Sequence, residues 1–117
     1  MKNEFIPYTQ ALALEELGFD EPCFGYFYTE NKFFDTKVKN SELDEECSIA
    51  VALYQQAFRW FREKYKYSSY IKEATKDKYR FYIEKFDEKF YNSEILTYEE
   101  AEVACMVTLI NIVKKQN

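Results

Sequence analysis

Histidine is absent from this chain of 117 residues, glycine and proline occur twice each, and cysteine occurs three times. Without histidine the usual Ser-His and Cys-His catalytic pairs cannot form, and most zinc-site patterns are excluded. The two glycines, Gly18 and Gly25, stand apart, so the chain has no glycine-rich phosphate-binding loop. We therefore predict a protein that is not an enzyme, with no catalytic residues, no metal site and no cofactor.

The cysteines at positions 23, 47 and 105 form no Cys-x-x-Cys pair. Their odd number, together with the lack of an N-terminal signal peptide, predicts reduced thiols in a cytoplasmic protein. Long hydrophobic runs are also missing, since the longest nearly apolar stretch, residues 103–113, is too short to span a bilayer. We expect no membrane segment.

Positive charge is scarce, because 16 basic side chains face 21 acidic ones and the net charge is -5. Basic residues outnumber acidic ones only in residues 62–89, by 9 to 6, and the segments on either side are acidic. Binding to duplex nucleic acid requires a sustained positive surface. We therefore do not expect duplex nucleic acid as a partner.

Aromatic side chains, by contrast, are abundant, with 11 Tyr and 11 Phe in a chain that is 47% hydrophobic. This composition is typical of a globular protein, and the length suits a single domain, which we place at residues 1–117. The core should be rich in aromatic rings. Some rings must remain at the surface, where tyrosine is the type best tolerated.

Residues 53–65 form the densest amphipathic segment and predict a central helix. Its apolar stripe, with spacings of three and four, consists of Leu53, Tyr54, Ala57, Phe58, Phe61 and Tyr65. On the opposite side lie Gln55, Gln56, Arg59, Arg62 and Glu63, and Trp60 lies at the edge of the stripe. The first set is expected to be buried and the second to be exposed.

A first helix is predicted from residues 7–9 to Leu17. Thr9 can cap its exposed amides. Gly18 ends it in the left-handed conformation, so that Phe19 can fold back on Leu14.

A last helix begins with a capping box in which Thr97 is the N-cap and Glu100 the N3 residue. It should continue to the last residues of the chain. Its expected buried face consists of Ala101, Ala104, Cys105, Thr108, Leu109, Ile112 and Val113.

Two hairpins are predicted, one from residues 23–28 and 33–38 and one from residues 68–74 and 78–86. In the turn of the first, Asn31 is the residue best suited to positive φ. The first strand leaves its inward face open, because both alternating sets of side chains are largely apolar; the sets are Phe24, Tyr26, Tyr28 and Cys23, Gly25, Phe27.

Three connecting segments are less patterned. Residues 39–46 read as a solvated acidic loop without the spacing of a calcium-binding loop. Residues 49–51 fit either a short strand or the approach to the central helix, and residues 90–96 fit a connector.

The resulting order, α-ββ-α-ββ-α, predicts an α+β fold of two layers. We expect one antiparallel sheet of four to five strands with the three helices mainly on one face. A mixed sheet is the alternative if the hairpins pair through parallel strands.

Three segments carry a resemblance to a known family: FIPY followed by ALALEELGFDEPCFGY (residues 5–26), LYQQAFRWFREKY (residues 53–65), and YEEAE (residues 98–102) leading to Cys105 and Leu109-Ile110. Over nearly its full length the chain resembles a family of small uncharacterised proteins carried by tailed phages and prophages of gut Bacteroidota. The resemblance implies a phage origin and a bacterial host cell. It implies no particular activity.

The leading hypothesis is a noncatalytic accessory protein that binds a host or phage protein. Its candidate interaction surface, on the central helix and the outer face of the second hairpin, consists of Gln55, Gln56, Arg59, Trp60, Arg62 and Tyr82. A second hypothesis is a small-ligand or nucleotide-binding protein, because basic and aromatic residues interleave in residues 64–67 and 78–82. A hydrated strand face explains the same pattern. A third hypothesis is a structural phage protein that self-assembles into homo-oligomers.

Overall fold

The structure of the chain, a computed structural model, describes residues 4–30, 32–43, 48–85, 88–94 and 96–116, with the backbone alone for residues 88–92. Its helices and strands are α1 (Tyr8–Glu16), β1 (Gly25–Tyr28), β2 (Lys32–Phe34), β3 (Ser48–Val51), α2 (Tyr54–Tyr65), β4 (Ser68–Thr75), β5 (Lys78–Lys85), β6 (Glu88–Asn92) and α3 (Tyr98–Gln116). They divide between two compact units, Met1–Tyr54 and Gln55–Asn117. The α+β class is confirmed. The single domain over residues 1–117 stays a prediction.

The predicted single sheet of four to five strands is wrong. The described strands form two antiparallel sheets of three strands each, in the orders β2-β1-β3 and β4-β5-β6. Each hairpin gains its third strand from a neighbouring segment: β3 pairs with β1, and β6, which was expected to be a connector, pairs with β5. The arrangement of all helices on one face of one sheet therefore does not apply.

In the first unit, α1 ends as predicted. Gly18 has a φ of 95°, its N–H donates to the Glu15 carbonyl at 2.9 Å, and the Phe19 N–H donates to the Leu14 carbonyl at 3.0 Å. This hydrogen-bond pair defines a Schellman stop. The expected cap at Thr9 is wrong, because Pro7 is the N-cap and Thr9 lies inside the helix.

The inner face of the first sheet is packed with rings. Phe27 is 5% exposed and meets Tyr8 and Phe33 edge to face at centroid distances of 5.5 and 5.3 Å. A Cβ added at Gly25 would lie only 2.7 Å from the Phe33 ring, so glycine allows this ring to cover β1. The turn after β1 places Thr29 at a φ of 61°, whereas Asn31, predicted for that role, lies outside the described residues.

In the second unit, α3 packs mainly on β5 and also contacts β4. Its capping box is confirmed, since the Thr97 N–H donates to Glu100 Oε1 at 3.0 Å and the Glu100 N–H donates to Thr97 Oγ1 at 3.2 Å. The buried residues of α3 are Ala101, Cys105, Met106, Leu109, Ile110, Ile112 and Val113. Ala104 and Thr108 are only half-buried, so the buried face is rotated slightly from the predicted one.

Candidate functional site

The predicted surface on α2 is only partly exposed. Gln55, Arg59 and Arg62 are exposed and Gln56 is half-buried. The predicted apolar stripe is buried at Tyr54, Ala57, Phe58 and Phe61. The amphipathic prediction for α2 is therefore confirmed at these positions, and three polar side chains remain accessible.

Trp60 belongs to the core rather than to this surface. It is 6% exposed, and its indole meets the rings of Phe61 and Tyr65 at 5.1 and 5.5 Å. The Lys64 ammonium lies 5.1 Å from the indole centroid, a cation–π distance. A side chain at the edge of an amphipathic stripe can be either buried or exposed. Trp60 is buried, in contact with the neighbouring aromatic rings.

A cleft of about 230 Å³ lies between α2, β4 and α3. We call it the α2–β4 cleft; its lining residues are Gln55, Phe58, Arg62, Ser69, Tyr70, Ile71, Tyr98 and Cys105. Two of the six predicted site residues, Gln55 and Arg62, therefore share one cavity. Arg59 does not line it, although it lies on the same helix.

A sharp helix end brings Arg62 close to β4. Lys66 has a φ of 68°, and its N–H donates to the Arg62 carbonyl at 3.1 Å, which is the left-handed form of helix stop. Tyr67 is fully buried and β4 begins at the next residue. Only two residues separate the helix from the strand, so the last turn of α2 lies beside the start of β4.

The cleft offers hydrogen-bond donors and one cation. Arg62 is the charged side chain among its lining residues. Desolvation, followed by the charge of Glu102, raises the pKa of Tyr98, so its phenol stays protonated and can donate. Burial raises the pKa of the Cys105 thiol to about 12. Because the thiolate is the reactive form, Cys105 is inert at neutral pH.

Tyr82, the remaining predicted site residue, is half-buried and stacks on Tyr70 with centroids 4.9 Å apart and planes 17° apart. The Tyr70 hydroxyl donates to Glu84 Oε2 at 3.1 Å. Desolvation, followed by this hydrogen bond, raises the pKa of Tyr70. Tyr70 also lines the α2–β4 cleft. Tyr82 therefore lies next to the cleft, in contact with one of its lining residues.

A second exposed surface was not among the predicted site residues. Tyr26, Tyr28 and Phe34 share the outer face of the first sheet, and Phe24 directly precedes β1; we call these four residues the aromatic face. Phe24 is 54% exposed, and Tyr28 and Phe34 are each 43% exposed. Tyr26 stacks on Phe34, its cross-strand partner, with centroids 5.1 Å apart.

The sequence left open which set of β1 side chains would be exposed. A signal was present, because Gly25 and Phe27 share one face and a glycine within a strand often marks the close approach of another group. The set that includes Gly25 is the buried one. Phe24, Tyr26 and Tyr28 are therefore outside.

A smaller cleft of about 190 Å³ lies beside the end of α1 and includes Asp20, Asn40 and Ser41. Its polar groups serve the fold: the Asn40 amide donates to the Phe19 carbonyl at 3.1 Å, and its oxygen accepts from the Ala50 N–H at 2.8 Å. Asp20 accepts from the Ser41 N–H at 3.0 Å, which lowers the pKa of its carboxyl group. Asn40 belongs to a 3-10 helix, Asn40–Glu42, inside the expected acidic loop.

No group of three or more metal-ligating side chains occurs within the described ranges. Cys23 is buried without a disulfide, and burial raises its pKa to about 12. Cys47 lies outside the described residues. None of the helices in the described part of the chain has the length and apolar character needed to cross a membrane.

Comparisons with protein-family models, with curated proteins and with solved structures find no match. The resemblance carried by residues 5–26, 53–65 and 98–110 therefore stays a prediction.

Proposed function

We propose that this chain is a noncatalytic protein-binding module and that the aromatic face is its main contact surface. The observation that carries the proposal is the exposure of Tyr28 and Phe34 on one sheet face, with the exposed Phe24 directly before β1. Clustered exposed apolar side chains mark interaction sites, and aromatic side chains are enriched at protein interfaces.

The aromatic face is also preorganised. Tyr26 and Phe34 are fixed by strand pairing and by stacking at 5.1 Å. Aromatic side chains have few rotatable bonds, so little conformational entropy is lost when a partner covers them. A rigid ring platform suits the association of two protein surfaces.

The exposed polar residues Gln55 and Arg62, which line the α2–β4 cleft, provide a second contact surface in the second unit. Arginine is favoured at interfaces. The resemblance to phage and prophage proteins supports a host or phage protein as the partner and the host cytoplasm as the place of action.

The test immobilises the full chain and exposes it to a lysate of a gut Bacteroidota strain. The variant Phe24→Thr/Tyr28→Thr/Phe34→Thr removes the rings but keeps strand-favouring residues. The control Val103→Thr/Val107→Thr removes exposed apolar side chains from α3, which are 39% and 41% exposed. Wild type and control should retain the same protein, and the triple variant, with an unchanged circular dichroism spectrum, should lose it. Retention by the triple variant, or no retention by wild type, contradicts the proposal.

A second candidate function is small-ligand binding, for which the α2–β4 cleft supplies Arg62, Gln55 and Tyr98 as hydrogen-bond donors. Thermal unfolding in the presence of a nucleotide panel tests it. A ligand at about 100 times its Kd should stabilise the chain by about 2.7 kcal/mol, and Arg62→Gln should abolish the shift. A flat response across the panel rules this function out.

A further inference from the structure

The strand β4 lies at the edge of the second sheet. In the order β4-β5-β6, the described strands pair with β4 on one side only. An edge strand presents unpaired N–H and C=O groups that can accept a further strand. Residues 68–73 of β4 pair with β5 without irregularity, and the bulge falls only between Glu73 and Thr75. The regular part of this edge is therefore about six residues long.

The α2–β4 cleft follows this edge. Three consecutive residues of β4, namely Ser69, Tyr70 and Ile71, line it. Successive side chains of a strand point to opposite faces of the sheet, so a cavity that borders all three runs along the backbone edge rather than over one face. A segment placed in this cavity lies next to the backbone of β4.

The size and charge of the cleft restrict its occupant. Its volume of about 230 Å³ is below the range of roughly 300–1,000 Å³ that is typical of pockets for drug-sized ligands. Arg62 supplies its charge, and Gln55 and Tyr98 supply further donors. A guanidinium group pairs best with a carboxylate, often through two hydrogen bonds. These features fit one acidic side chain carried by a longer chain.

We propose that the α2–β4 cleft docks an extended acidic segment of a partner protein, which adds to β4 as a further strand and places an Asp or Glu side chain beside Arg62. This inference rests on the proposed protein-binding function and specifies the chemistry of the partner. Main-chain hydrogen bonds to β4 supply affinity, and the carboxylate in the cleft supplies specificity. Arg59 lies outside the cleft and takes no part.

The experiment selects a displayed library of random heptapeptides against the full chain. The peptide most enriched is then synthesised and its Kd is measured for wild type, Arg62→Gln and Arg59→Gln. The two variants remove the same charge from exposed positions of one helix, so Arg59→Gln is the matched control. A series of peptides with one N-methylated amide each reports which peptide N–H groups pair with β4.

We expect an acidic residue to recur at one peptide position. Arg62→Gln should weaken binding about tenfold or more, and Arg59→Gln should weaken it less than about twofold. N-methylation should weaken binding at alternate amides, because alternate N–H groups of a strand face the same neighbour. Enrichment of no peptide, equal effects of the two arginine variants, or N-methylation without alternation overturns the inference. The lysate test of the aromatic face is independent, so it shows whether the proposed function survives such a failure.

Discussion

Each of the two units contains a three-stranded antiparallel sheet, with α1 in the first unit and α2 and α3 in the second, yet the outer faces of the two sheets differ. In the second sheet, the outer register holds Tyr70 and Tyr82 together with the charged Lys72, Arg80 and Glu84. In the first sheet, the outer register of β1 and β2 holds the rings of Tyr26, Tyr28 and Phe34 and one charged side chain, Lys32; Tyr28 and Phe34 are exposed.

A sheet needs only one apolar face to fold, so the other face is free to carry charge. Charged side chains occupy three of these outer positions in the second sheet, Lys72, Arg80 and Glu84, but only Lys32 in the register of β1 and β2. The rings of the aromatic face are therefore not explained by folding, and this difference is the basis of the proposed function.

The largest expected losses of stability follow removal of a buried ring from either sheet. Tyr28, on the opposite face of β1 from Phe27, provides the comparison with an exposed ring. Phe27→Ala and Phe81→Ala should each lower the free energy of unfolding by about 3–5 kcal/mol, because both rings are 5% exposed and their removal leaves a cavity. Tyr28→Ala, next to Phe27, should cost about 0.5 kcal/mol or less. Urea denaturation measures all three, and a large cost at Tyr28 would mean that the aromatic face is part of the core.

A smaller effect is expected at Gly25, where the first sheet depends on the close approach of Phe33. Gly25→Ala should cost about 1–3 kcal/mol, because the added Cβ meets the Phe33 ring at 2.7 Å and the Phe34 carbonyl oxygen at 3.1 Å. Ser69→Ala, on the inner face of the second sheet, is the control. Equal costs in urea denaturation would show that Phe33 does not pack on β1 as described.

The ends of α1 and α2 can be compared, because each is followed by a residue with positive φ, a glycine after α1 and a lysine after α2. Gly18→Ala should cost about 1 kcal/mol, because a Cβ is disfavoured at a φ of 95°. Lys66→Gly, at a φ of 68°, should raise stability by less than about 1 kcal/mol, since it also removes the hydrogen bond from Lys66 Nζ to the Glu63 carbonyl. Thermal unfolding measures both variants. A lower stability for Gly18→Ala and a higher stability for Lys66→Gly support the left-handed stop of α2, whereas a lower stability for both variants argues against it.

The smallest expected effect is a pH dependence of the free energy of unfolding. One exposed carboxylate in each unit contributes to it. Backbone N–H groups of Ser41 and Thr97 lower the pKa of Asp20 and Glu100 respectively. A pKa lowered in the folded state stabilises the fold above the unfolded-state pKa, and this stabilisation is lost as the pH falls through the folded-state pKa.

Asp20→Asn and Glu100→Gln should therefore make the acid limb of a stability–pH curve shallower. Glu99→Gln removes a charge from the same turn of α3 without touching the capping box, and serves as the control. Carboxyl chemical shifts followed through the titration check the direction. A raised pKa at either group would contradict the hydrogen bonds described.

Local signals in the sequence predicted the local structure. The Schellman stop at Gly18 and the capping box at Thr97 each depend on four to six neighbouring residues, so the chain near them determines the geometry. The β4–β5 hairpin was predicted because its alternating pattern is unambiguous. These features need no knowledge of distant contacts.

What the sequence did not predict depends on pairing between segments. For residues 49–51 the sequence left a short strand and a helix approach open, and pairing with β1 makes Ser48–Val51 a strand. Glu88–Asn92, predicted in large part as a connector, becomes a strand by pairing with β5. Trp60 lies at the edge of a helical stripe, where neighbouring rings decide its burial. The α2–β4 cleft brings together residues from three elements, and only Gln55 and Arg62 had been chosen from the sequence.

The central claim is that the aromatic face is exposed in the free protein and covered by a partner. Hydroxyl-radical footprinting of the chain, alone and with the protein retained from lysate, measures the oxidation of each ring directly. We expect ready oxidation of Phe24, Tyr28 and Phe34 in the free chain and their protection in the complex, while the buried Phe27 and Phe81 are protected in both. Slow oxidation of the three rings in the free chain, or unchanged oxidation in the complex, would contradict it.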